Sequence, residues 1–322
     1  MKKSVFALMA VWLLWAPGPS AAQKVYRIGA LVADDQFVPA FDGFKKKMVE
    51  MGYIEEGNIK YEVHNAKGDR EVMRKISQKF AEEKPDLIVT SSTTSTVPVA
   101  KATEGTNIPV VFLSAGNPLR FVKSYSSSGN NLTGISSSSL DLIEKRMELL
   151  TELIPGARRV IVLEVPSGTN YEEAHRRIQE AGKKLGLDLN YVLANSLEEI
   201  KSKISVLITR KLGEAVFTPP DTPVVGAAGE IARQGIKQRL PIIGANVETV
   251  KRGMLASYSS DYYALGQQGA RLVDKILKGA RPTDLPIELP SRLNLAINLK
   301  TAKAIGLKVP REILLRADEV IQ

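Results

Sequence analysis

Short runs rich in Val and Ile alternate along the chain with longer stretches whose apolar residues recur every three or four positions. The first kind reads as buried strand and the second as amphipathic helix, and their alternation predicts parallel sheets covered by helices on both faces. "VYRIGALV" from Val25 predicts a strand. Phe41, Phe44, Met48 and Met51 then line one face of a helix that Gly52 stops. "NIKYEV" from Asn58, "DLIVT" from Asp86 and "IPVVFL" from Ile108 predict three more strands with helices between them.

The pattern returns at an offset of about 130 residues, the self-similarity that marks a repeated unit. "RRVIVLEV" from Arg158 answers the first strand, "LDLNYVL" from Leu187 the second, "AVFT" from Ala215 the third and "LPIIGAN" from Leu240 the fourth. Two similar α/β lobes follow, and 322 residues are enough for two cores. In open α/β sheets a ligand binds beyond the carboxyl ends of the strands. Two lobes facing each other therefore share one cleft.

Composition changes the picture at the N-terminus. Lys2 and Lys3 precede an apolar run over residues 5–15, too short to span a bilayer, and Ser20 and Ala22 supply small residues. A signal peptide over residues 1–22 is expected, with the mature chain in the periplasm. The chain has no cysteine, which excludes a disulfide scaffold and a lipid-modified cysteine after the leader. Its net charge of +9 includes Lys2 and Lys3 and is spread without a basic block, so nucleic acid is not an expected partner.

Candidate chemistry gathers in the loops after the strands. Residues 90–96, "TSSTTST", are seven consecutive hydroxyl side chains at the end of the third strand. A helix opening there presents free N–H groups and a positive dipole end to an anion, with Ser92, Thr93 and Thr94 as the residues on a carboxylate. Hydroxyls also cap helices with no ligand present, which a shorter run would suggest. Asp34 and Asp35 follow the first strand, and Ser114 and Asn117 stand in "SAGNP" after the fourth. From the second lobe come Asn170 and Tyr171 in "VPSGTNY", Asp221 in "TPPDTP" and Asn246 in "GANVE". Each loop alone is equally a folding device; their convergence on one cleft is the argument.

The missing chemistry matters too. His64 and His175 are far apart and lack a second ligand at metal spacing, so each reads as a surface or strand-edge residue. No G-x-S-x-G, P-loop or G-x-G-x-x-G follows a strand. No catalytic residue, metal site or cofactor is expected, and no enzyme.

From Ser114 onward the wording is specific. "NNLTGISS", "LIPGARRVIVL", "LASYSSDYYALGQQGARLVDKILKGARPTDLPIELP" and "LAINLKTAKAIGLKVPREILLRADEVIQ" resemble the substrate-binding proteins of ABC transporters, in the family that includes tryptophan- and tyrosine-type binders. "GYIEEGNIKYEVHNAKGD" and "KPDLIV" resemble its N-terminal lobe. The resemblance covers essentially the whole mature chain. It implies a type I periplasmic-binding-protein fold: two Rossmann-like lobes with parallel sheets, joined by a multi-crossing hinge that lets them close on a ligand. It further implies delivery to an ABC permease with its ATPase, membrane contact only through that permease, and a monomer.

On this basis the N-terminal lobe is expected over residues 23–133 and 257–284, the C-terminal lobe over 134–256 and 285–322, and hinge segments near 132–136, 254–258 and 284–287. In the helix from Tyr262, Leu265, Leu272 or Val273 and Ile276 form an apolar stripe. Gly269 allows close approach, and Tyr262 and Tyr263 read as packing residues. Three positions depart from the family's wording: Ser92-Thr93-Thr94 in place of a Thr-Pro-Ala-like turn, Asn117 in place of an Asp before Pro118, and Glu164-Val165 in place of Asn-Pro. An amino-acid ammonium would then fall to Asp221 or Asp34. A sensing partner for a membrane receptor is the alternative role for such a protein.

Overall fold

The computed structural model describes residues 24–322; the expected leader lies outside them. Two sheets organise the chain. The first takes β1 (Tyr26–Val32), β2 (Ile59–Asn65), β3 (Leu87–Thr90), β4 (Val110–Ala115) and β5 (Leu132–Ser136), all parallel, in the order β2-β1-β3-β4-β5. Helices α1 (Val38–Glu50), α2 (Arg70–Glu83) and α3 (Thr93–Ala102) connect them, and α4 (Ile143–Leu153) opens the second lobe.

The second sheet takes β6 (Arg159–Glu164), β7 (Asp188–Leu193), β8 (Ala215–Phe217), β9 (Ile242–Gly244) and β10 (Ala256–Ser260) in the order β7-β6-β8-β9-β10. That order is the same as in the first sheet, as the repeat in the sequence requires. Its helices are α5 (Tyr171–Leu185), α6 (Leu197–Leu207), α7 (Thr222–Gly226), α8 (Ala228–Gln238) and α9 (Val247–Lys251). After β10 the chain forms α10 (Tyr262–Leu277) on the first lobe. It then returns through β11 (Leu293–Asn298), α11 (Leu299–Ile305), α12 (Arg311–Arg316) and β12 (Glu319–Ile321) to extend the second sheet. β11 runs antiparallel to β10, because a chain crossing back from the first lobe enters at the end where β10 finishes. The second sheet is therefore parallel from β7 to β10, as expected, and β11 and β12 extend it past one antiparallel pairing.

The strands carry nearly continuous apolar runs because both faces are covered; every residue of β3, β4 and β8 is buried. α10 belongs to the first lobe by packing: Leu265, Leu272, Val273 and Ile276 join the core around Phe44 and Phe112. Gly266 lies against the Ala40 carbonyl and Gly43 against the Tyr263 carbonyl, so small residues let α1 and α10 touch nearly backbone to backbone, while Gly269 seats α10 on Leu113 of β4. The second lobe has two apolar clusters, one on each side of its sheet, around Phe217 and around Val216.

Sheet membership shows how far each strand near the expected hinge segments extends. Residue 133 lies inside β5, which stays in the first sheet to Ser136, and residue 257 lies inside β10, which stays in the second to Ser260. Leu285 and Ile287 still pack in the first core, and Glu288 bridges Ile135, so the last crossing follows residue 288. The interlobe connections thus fall where paired strands end. Among the described residues no helix is long and apolar enough to cross a membrane.

Candidate functional site

In each sheet the strand order reverses beside the first strand, between β1 and β3 and between β6 and β8. Ligands of such sheets bind at this switch point. The loops after β1 and β3 face those after β6 and β8 across a chamber of about 40 Å³. Gln36, Phe37, Ser92, Thr93, Thr94 and Tyr262 form its first-lobe wall, with Asn170, Asp221, Thr222, Val225 and Asn246 opposite. Ser114, Gly116, Ser137 and Ser139 complete it. Thr94, Asn170, Asp221 and Thr222 also line a vestibule of about 500 Å³ that includes Asp34, Lys67 and Arg70. The vestibule's volume is within the roughly 300–1,000 Å³ usual for small-molecule sites.

The hydroxyl run has a divided role. Ser92 is extended at φ −159° and caps α3: its Oγ accepts from the Ser95 N–H at 3.3 Å in a reciprocal capping box. Thr90 and Thr96 hydroxyls pair at 2.7 Å, Thr96 donates to the Ser92 carbonyl at 2.6 Å, and Ser91 Oγ accepts from the Ala33 N–H at 2.9 Å. Most of the run therefore welds β3 to its neighbours. Only Ser92, Thr93 and Thr94 reach the chamber, bringing the N-terminus of α3 with them; the amides of its first turn have no partner inside the helix.

The lobes touch across the cleft. Asn246 Nδ2 donates to Gln36 Oε1 at 2.9 Å, buried from solvent, and Thr94 Oγ1 donates to Thr169 Oγ1 at 3.3 Å. Arg70 Nη2 donates to the Ser167 carbonyl and Arg120 Nη1 to the Thr169 carbonyl, both at 2.7 Å. Two first-lobe guanidiniums thus hold the second-lobe loop that carries Asn170.

The site has an acidic side. Asp221 Oδ1 and Asn170 Oδ1 are buried without a hydrogen-bond partner. Burial pushes Asp221 up to about 7, more than the distant Arg70 can offset, and the Glu164 carboxylate raises it further. Gly168 abuts Asp221 Oδ2 so closely that no side chain fits between them. Asp34 in the vestibule is likewise raised, mainly by burial. Behind Asp221, Glu164 is buried and takes His175 Nδ1 at 2.8 Å; burial raises its pKa despite the hydrogen bond. His175 is therefore a half-buried side chain partnered by a buried carboxylate.

Of the residues singled out in the sequence, Ser92, Thr93, Thr94, Ser114, Asn170, Asp221 and Asn246 line the chamber together, and Asp34 lines the vestibule. Two lie elsewhere. Asn117 offers its main-chain N–H to Thr93 Oγ1 at 3.0 Å and starts the turn Pro118–Arg120, which turns it out of the chamber. Tyr171 is the first residue of α5 and lines a separate rim cavity with Arg70 and Arg120. Gln36, Phe37, Thr222, Val225 and Tyr262 were not foreseen; Tyr262 stacks on Phe37 with ring centroids 5.3 Å apart. Ser137 and Ser139 had a signal, since "SSSS" over residues 136–139 is a second hydroxyl run at a strand end.

The comparisons agree with this architecture. A tyrosine-binding protein of Clostridioides difficile is 28% identical over 291 residues, which span 90% of this chain and 83% of that protein. A crystal structure from Streptococcus pneumonia, an ABC domain in complex with L-Trp, superposes with a TM-score of 0.84 at 24% identity, over 92% of this chain and all of that one. A ligand-free, open substrate binding protein with adhesive properties from Clostridium difficile gives 0.69 at the same identity and coverage. The model of the family described as ABC transporter substrate binding protein matches residues 27–321. With two lobes meeting at the carboxyl ends of their strands and that match over nearly all described residues, this chain belongs to the ABC transporter substrate-binding protein family.

Proposed function

We propose that this chain is the periplasmic solute-binding component of an ABC importer, and that it traps an amino acid between its lobes for delivery to a permease. The observation that carries the ligand class is the pairing of opposite needs in one chamber. The N-terminus of α3, with Ser92, Thr93 and Thr94, suits a carboxylate, and the unpartnered Asp221 Oδ1 suits an ammonium. A zwitterionic head satisfies both, and Asn170 Oδ1 is a second acceptor for the ammonium. Thr94, Asn170, Asp221 and Thr222 connect chamber to vestibule, so the side chain leaves the head along them. The tyrosine-binding relative and the L-Trp complex support this reading, because both ligands share that head.

Binding uses contacts from both lobes, so the ligand favours the arrangement in which they meet. Residues 1–22 are a leader in this proposal, the two lobes meet at the three crossings, and the mature chain acts as a monomer. Screening the twenty amino acids by thermal shift, followed by calorimetry, tests the ligand class, because a ligand specific to the folded state raises the melting temperature. An amino acid that binds more tightly than its amide and its N-acetyl form is the expected result. Preference for a neutral sugar over every amino acid would overturn it.

A further inference from the structure

Arg146 is the largest fully buried side chain of the described residues, at 0% exposure on α4. Its guanidinium donates to three main-chain carbonyls: Leu142 at 3.3 Å, Ala245 at 3.3 Å, and Ser139. Ser139 and Ala245 are walls of the interlobe chamber, so the guanidinium lies directly behind it. No carboxylate of the described residues lies within ion-pair distance of it, while 26 other pairs occur, nearly all of them on the surface. Carbonyl dipoles satisfy three of the five N–H donors of a guanidinium but do not cancel its charge.

A charge removed from water is costly unless something of opposite sign faces it. We propose that Arg146 is a specificity-determining residue: a fixed positive charge behind the chamber whose counter-charge is the carboxylate of the bound ligand. It acts through the Ser139 and Ala245 main chain and without touching the ligand. In the low dielectric between closed lobes such a charge is felt across several ångströms. Arginine suits this task because its high intrinsic pKa keeps it charged where lysine would lose its proton; burial lowers Arg146 only to about 10. Together with Asp221 in the chamber wall, it gives the chamber one positive and one negative group. This inference rests on the amino-acid reading above and adds the residue that reads the carboxylate.

The test compares two pairs of probes by calorimetry, L-tyrosine with L-tyrosinamide and L-tryptophan with L-tryptophanamide, each on wild type and on Arg146→Gln. Arg146→Met, apolar and of similar length, is the second variant should the first fail to fold. Wild type is expected to prefer the acid over its amide, and the variant to lose about tenfold of that preference, or about 1.4 kcal/mol, while its affinity for the amide stays within about threefold. If acid and amide weaken by the same factor, Arg146 only shapes the chamber and the inference falls. If wild type itself binds acid and amide equally, the amino-acid reading fails and takes the inference with it.

Discussion

The side-chain amide of Asn246 donates to Gln36 Oε1 at 2.9 Å, a buried hydrogen bond running from the second lobe to the first. Asn246 is also fixed within its own lobe, where its Oδ1 caps α9 through the Thr249 N–H at 3.1 Å. The cross-lobe bond is thus made by a preset donor. Gln36→Ala removes its acceptor and nothing from either core. We expect the lobes to open more readily, by the roughly 1 kcal/mol of one hydrogen bond or about fivefold in population. Small-angle scattering on the variant should show a larger radius of gyration with an unchanged melting temperature. An unchanged radius would mean that this bond does not help hold the lobes together.

Arg70 and Arg120 give a second handle on closure. Both are exposed, so solvent weakens their bonds to the Ser167 and Thr169 carbonyls. Arg70→Gln with Arg120→Gln should raise the ligand dissociation rate about three- to tenfold with little change in association. Stopped-flow fluorescence separates the two rates. Slower association alone would argue for steering rather than latching.

With Asp221 as the acceptor of the ligand's ammonium, we expect binding to depend on pH. The folded-state pKa of Asp221 is raised to about 7 from an ordinary 3.8, so below 7 the unliganded carboxyl is mostly protonated and a cation must displace that proton. Affinity for an amino acid should rise between pH 5 and 7 and level off above. The unliganded fold carries the opposite slope: a raised acid is fully stabilising below the unfolded value, and that stability is lost as pH climbs toward 7. Asp221→Asn should cut affinity about a hundredfold, as for other buried charge contacts, and flatten both profiles. Calorimetry and melting curves across pH 5–8 check both; a variant that keeps the binding slope would assign the proton to another group.

Gly168 leaves no room for a Cβ beside Asp221 Oδ2. Gly168→Ala must displace either the carboxylate or the loop that Arg70 and Arg120 hold. Ligand affinity should fall at least tenfold while stability changes by less than about 1 kcal/mol, since the loop is outside both cores. Equal binding by the variant would show that the loop yields without cost.

Gly266 tests the first lobe instead. It abuts the Ala40 carbonyl where α10 meets α1, and Gly266→Val must push those helices apart. Overpacking of this kind costs about 1–3 kcal/mol. Urea melts should register it, with the second lobe unaffected if the two unfold separately.

The lobes were legible in the sequence because a parallel strand covered on both faces is an apolar run, and eight such runs repeat in matching order. β5 and β10 were harder to read. "LTGIS" and "ASYSS" are short and partly polar, and each lies next to a connection between lobes, so periodicity marks them weakly. The antiparallel turn of β11 could not be read from its residues, since direction follows from which lobe the chain last visited.

Much of the candidate site was visible for a related reason. Loops at strand ends must cap helices, and Ser92, Thr93, Thr94, Asn170, Asp221 and Asn246 are residue types that loops reveal. Phe37 and Tyr262 look like packing residues and do pack, on each other, at the chamber wall. Arg146 gave no sign at all: in "EKRMELL" it reads as one more charge on a helix, and only burial by α4's neighbours makes it a lone cation.

The order of residues by itself determined two repeated α/β units and which loops would lie at the ends of their strands, because periodicity and turn chemistry act over a few neighbouring positions. Which side chains share one chamber was decided only by tertiary structure. Lobe-to-lobe contacts join residues as far apart as Gln36 and Asn246, and desolvation, which raises Asp221 and isolates Arg146, is a property of the packed surroundings.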